Sequence, residues 1–116
     1  MDFVGAGRRS PLPVAAYTWS SPADGTLVET YRRKLRELAV RLRLPAPSFF
    51  EDSGRRGDDE RPALACLLDL VATGIFQVIL IPGPFVFGSR AADIDAVVSH
   101  VTASGCRIME LPLSEE

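Results

Sequence analysis

Six cationic side chains crowd one short stretch of the sequence: Arg32, Arg33, Lys34, Arg36, Arg41 and Arg43. Guanidinium groups at that density suit bidentate contact with phosphates, and Arg8 and Arg9 near the N-terminus add two more. The same spacing suits a solvated helix face, so two readings stand: non-catalytic nucleic-acid binding through Arg32, Arg33, Arg36 and Arg41, or no ligand at all. Metal chemistry has little to work with. Cys66, Cys106 and the single histidine, His100, are too few and too scattered to make a metal motif, and Gly83 and Gly88 are too sparse for a phosphate loop. Neither a cofactor nor a metal is expected. A different signal comes from residues 81–91, "IPGPFVFGSRA", where Phe85, Val86 and Phe87 follow an apolar strand at the place α/β enzymes usually keep charged working residues. Three consecutive apolar side chains there either fold back onto the core or form an exposed contact site for a second copy or a protein partner.

The chain that must position these residues has 116 of them, 47% apolar and 24% charged, which fits one globular domain of ordinary composition. Its formal charge of -2 gives no global attraction to polyanions, so any binding to DNA would need a local patch. Arginine outnumbers lysine twelve to one, as in a GC-rich coding sequence. Both cysteines sit in apolar surroundings and are expected to be buried, reduced thiols. There is no apolar signal-peptide core and no run of about 18 apolar residues, so a soluble, cytoplasmic protein with no membrane contact is expected. Residues 1–12 read as a flexible arm and residues 13–116 as the folded domain.

Residues 13–18 predict a buried strand, after which Thr26 and Glu29 fit a capping box. Tyr31, Leu35, Leu38 and Leu42 then recur at helical spacing among the cations. Residues 47–51 read as a second strand and 52–60 as a mobile loop. Pro62 opens a helix with Leu64, Leu67, Leu68 and Val71 on its apolar face, ending at Gly74. Residues 76–81 make the most apolar strand, placed at the sheet centre. Ser89 is a cap for a third helix carrying Ile94, Val97, Val98 and Val101, closed by Gly105, with a last strand over 106–111. The order β-α-β-α-β-α-β predicts a three-layer α/β/α domain around a mainly parallel four-stranded sheet.

Residues 14–111 resemble the N-terminal catalytic domain of serine recombinases, the resolvases and invertases. The likeness lies in "AAYTWSS" at the first strand, "FFEDSG" at the second, "ERPALACLLDLVATGIFQVILI" across the second helix and third strand, "FGS", and "ASGCRIMEL" at the end. The resemblance implies a resolvase-like fold and a metal-free attack by a serine on a DNA phosphodiester, with guanidinium groups steadying the transition state. It places Ser21 on the nucleophile, four residues after Tyr17, and Arg61 on a phosphate-holding arginine. It also implies losses. Trp19 stands where the family has an arginine, and Phe85, Val86, Phe87, Gly88 and Ser89 stand on its Asp-Arg-x-Gly-Arg element, with Arg90 one position late. Full-length members continue into a dimer-building helix and a DNA-reading module, whereas this sequence stops at "PLSEE".

Two functions of different class are therefore expected. One is a degenerate, truncated recombinase-like domain serving as a protein-interaction or regulatory module linked to DNA transactions, as a homodimer or with another protein through Phe85, Val86 and Phe87. The other is a DNA strand-transfer enzyme using Ser21 with Arg61, Arg55, Arg56 or a partner's arginines.

Overall fold

β1 (Val14–Ser20) is buried along almost its whole length, with only Trp19 partly exposed. Such a strand needs cover on both faces, and the architecture supplies it. The computed structural model describes residues 13–21, 25–54 and 60–112; the expected arm 1–12 and most of the expected loop lie outside them. β1 is followed by α1 (Gly25–Arg41), β2 (Ser48–Ser53), α2 (Pro62–Ala72), β3 (Val78–Ile81), a 3-10 turn (Pro84–Phe87), α3 (Ala91–Ala103) and β4 (Arg107–Glu110). The four strands are all parallel, in the order β2-β1-β3-β4, as the alternating pattern of elements requires. β3 lies inside the sheet, shorter than 76–81 but fully buried.

Period-two alternation along β1 and β3 sorts the core into two layers. Val14, Ala16, Val78 and Leu80 face α1 and meet Leu35, Leu38 and Ala39. Ala15, Tyr17, Ile79 and Ile81 face the other way, against Leu64, Leu67 and Val71 of α2 and Val101 of α3. One helix therefore covers one face and two helices the other. α2 and α3 are followed by Gly74 and Gly105, at φ 84° and 82°, a left-handed backbone that glycine adopts without a Cβ clash. Among the described residues no helix is long and apolar enough to cross a membrane.

Several local expectations are corrected. Thr26 lies inside the first turn of α1, where its carbonyl accepts from the Thr30 hydroxyl (3.1 Å), while Glu29 pairs with Arg32 at 2.6 Å; no capping box forms. The N-cap of α3 is Arg90 and not Ser89; it makes no side-chain cap but reaches Asp93 of the first turn at 3.1 Å. Ile94, Val97 and Val98 are only partly buried, because α3 packs at the margin of its layer. Cys66 is exposed, whereas Cys106 is buried; burial pushes the Cys106 thiol up to about 11.

The largest correction concerns Asp52, expected to begin a mobile loop. It belongs to β2 and is buried. Pro62, at the start of α2, has no N–H, and Arg61 before it offers no side-chain cap, so the free amides of the first turn need an outside acceptor. Asp52 is that acceptor. Its Oδ1 takes the Ala63 amide and its Oδ2 the Leu64 amide, each at 2.9 Å, while the Tyr17 hydroxyl donates to Oδ2 at 2.9 Å.

Leu67→Asp would leave an unpaired carboxylate in the core, and loss of the folded state is expected by circular dichroism. Val98→Asp, at a half-buried site, should only lower the melting temperature. Asp52→Ala removes a helix cap, worth about 1 kcal/mol, and strands a buried hydroxyl, worth about 1–3 kcal/mol. A loss of about 2–4 kcal/mol is expected in denaturant titration, with Asp52→Asn less damaging because it keeps an acceptor.

Candidate functional site

The carboxyl ends of β1 and β3 and the start of α2 converge on one cluster. Tyr17 rises from β1, fully buried, and its ring stacks on Phe87 with centroids 6.1 Å apart. Burial, then the hydrogen bond and negative charge of Asp52, hold its hydroxyl well above the usual tyrosine range; the Arg61 guanidinium pulls the other way without offsetting them. Tyr17 is therefore a neutral donor committed to Asp52.

Arg61 starts α2, its carbonyl accepting the Ala65 amide at 3.0 Å. Its Nε donates to the Val86 carbonyl at 3.2 Å, and its guanidinium carbon lies 5.1 Å from the centre of the Trp19 ring. A cation over an indole face is attracted by the ring quadrupole. Trp19 sits opposite Asp52 in the β1–β2 register, and its Nε1 is buried with no hydrogen-bond partner among the described residues. Ser21, directly after β1, is half-buried at the same end of the sheet. The fold thus brings Arg61 onto Trp19, against the backbone of the apolar segment.

That segment divides. Val86 and Phe87, at 0% and 3% exposure, belong to the core, so two of the three residues expected to offer a contact surface are corrected to packing residues. The 3-10 turn rotates both inward. Phe85 is 48% exposed and lies 6.5 Å from the Tyr31 ring of α1, one turn beyond the exposed Leu27. Arg90 points away to Asp93 on the surface.

The basic helix is less basic than its sequence. Arg32 donates twice to Glu51 and once to Glu29, all at 2.6 Å, and Arg33 lies 3.9 Å from Glu37. Arg36 covers the Phe49 ring at 5.1 Å, and Arg41 is exposed at the end of α1. Acids and cations share this surface. His100 bridges α3 to the Leu68 carbonyl of α2 at 3.1 Å, and no metal-binding cluster occurs among the described residues.

Sequence reasoning missed Asp52 and the Trp19–Arg61 stack. A proline at the first position of α2, preceded by a residue that cannot cap it, was the available signal for an acid elsewhere. Nothing local announced the stack, which joins residues on different elements.

No family profile matches the chain, and no curated protein does. Among solved structures it is similar to the C-terminal catalytic domain of ISC1926 TnpA, an IS607-like serine recombinase, with TM-score 0.78 and 17% identity over 90% of this chain and 71% of that one. The N-terminal catalytic domain of TP901-1 integrase follows, with TM-score 0.74 and 21% identity over 85% of this chain and 76% of that one. The first open reading frame of transposon ISC1904 from Sulfolobus solfataricus P2 gives TM-score 0.72 and 14% identity over 90% and 70%. At such identities the likeness resides in the path of the backbone: the chain has the fold of a serine recombinase catalytic domain.

Proposed function

We propose that this domain does not perform strand transfer and works through contacts with another protein, in a setting of DNA transactions. The observation that carries the reading is the engagement of Arg61. It is the one guanidinium that the described residues place among the converging strand ends, and it is stacked on Trp19 and bonded to the Val86 carbonyl. Among the described residues, an indole and buried apolar side chains lie around it. A pentacoordinate phosphate carries charge that preorganised donors must meet, and removing one donor typically costs about 100- to 1000-fold in rate. Several such losses would leave Ser21 without effective assistance. Phe85, with Tyr31 and Leu27 beside it, is the apolar surface that faces solvent at this end.

Incubated with duplex or supercoiled DNA, with or without magnesium, the protein is expected to form no covalent adduct, and Ser21→Ala should behave identically. A denaturation-resistant adduct formed by the parent and lost in Ser21→Ala would overturn the reading. Val86→Arg, which places a cation on the family's clamp segment, should destabilise the fold and restore nothing, because that side chain is fully buried.

Phe85→Ser should keep the melting temperature within a few degrees and lower recovery of the protein's partner from its own cell extract at least about tenfold. Phe87→Ser should cost about 3–5 kcal/mol of stability, as for a buried aromatic truncation. Unchanged partner recovery by folded Phe85→Ser would remove Phe85 from the contact.

A further inference from the structure

The sheet has a second pole, where its four strands begin and its three α-helices end. α1 closes there through Arg43, whose amide bonds to the Val40 carbonyl at 3.0 Å while the Leu44 amide reaches back to the Ala39 carbonyl at 2.8 Å. Arg43 stands at φ 60°, the left-handed backbone that α2 and α3 leave to Gly74 and Gly105. This stop sets Leu42 and Leu44 against the starts of β3 and β4. A cavity of about 240 Å³ lies between them, walled by Leu42, Leu44, Val78 and Met109, with the exposed Gln77 and Arg107 also lining it. Arg107 is the register partner of Val78 and lies two residues before Met109, so strand alternation puts all three on the α1 face.

This pole is cationic although the chain carries a formal charge of -2. Its described residues, 13–14, 41–48, 72–78 and 103–107, include Arg41, Arg43 and Arg107 and no acid. None of the three arginines makes an ion pair among the described residues. Arg41 sits in the last turn of α1, where a cation offsets the negative end of the helix dipole. Arg107 belongs to a strand and has no such task; its guanidinium stands at the rim of an apolar cavity. An occupant must therefore be apolar over most of its length and anionic at one end. At ~30 Å³ for a water-sized group the space takes about eight such groups, fewer than a drug-sized ligand contains. One guanidinium fork, with the Gln77 carboxamide as a second donor, matches the planar oxygens of a single carboxylate. A phosphate, with more oxygens and more charge, would call for further cations, and Arg107 is the only one that lines the cavity among the described residues.

We propose that this cavity binds a medium-chain monocarboxylate, its alkyl chain among Leu42, Leu44, Val78 and Met109 and its carboxylate on Arg107. The inference does not rest on the protein contact assigned to Phe85, which lies at the other pole. Titration calorimetry of the full chain, with octanoate, octanol, acetate and inorganic phosphate as probes, tests it. One octanoate per chain is expected, with a Kd below about 1 mM, and octanol and acetate at least about tenfold weaker, since each lacks one half of the recognition. Arg107→Gln should weaken octanoate at least about tenfold and leave octanol unchanged, with circular dichroism as in the parent because Arg107 is a surface residue. Arg107→Lys, which keeps the charge and loses the fork, should fall between the two. Phe85→Ser should bind octanoate as the parent does. No octanoate binding up to about 10 mM, octanol binding as tightly as octanoate, an Arg107→Gln protein with unchanged affinity for octanoate, or phosphate binding more tightly and displacing it would each overturn the proposal.

Discussion

One carboxylate holds the working end of this domain together. Asp52 lies one residue from the end of a strand at the sheet's edge, accepts a hydrogen bond from a hydroxyl on the strand beside it, and accepts the first free amides of a helix that would otherwise begin uncapped. A negative charge at a helix start is favourable in its own right. Because the helix begins where Asp52 fixes it, Arg61 is delivered to one place, over Trp19 and beside the Val86 carbonyl. Stability and site geometry are the same interaction seen from two sides.

Much of the architecture was legible in the sequence because it rests on local regularities. The spacing of Leu64, Leu67 and Val71, the proline before them and the glycine after them all report on one helix, and the alternation of such segments leads to a parallel sheet. What stayed hidden was non-local. Asp52 lies ten or more residues from the amides it caps and 35 from the hydroxyl it binds, so no window of sequence contains the network. Phe85, Val86 and Phe87 are indistinguishable as a string; only the sense of a short turn decides that two face inward and one outward. Likewise, the cations of α1 looked available until the fold set Glu51 of a neighbouring strand against Arg32.

The resemblance to recombinases and the backbone likeness agree on the scaffold, and they bear differently on the site. A fold places a serine, a helix start and a loop at the ends of parallel strands, but the side chains there set the chemistry. In this chain those side chains pack. Tyr17 stacks on Phe87, and Arg61 is drawn onto an aromatic face. The contacts described at these strand ends join groups of the protein itself.

Trp19 has one more consequence. It is the sole tryptophan in the chain, and it rests against a guanidinium at the junction of β1, β2 and α2. Indole emission responds to the charge and polarity of its immediate surroundings, so the molecule carries a built-in optical reporter at its most informative position. Anything that draws Arg61 away, whether an anion or an approaching partner, would change the colour or intensity of that single emitter without any label being attached.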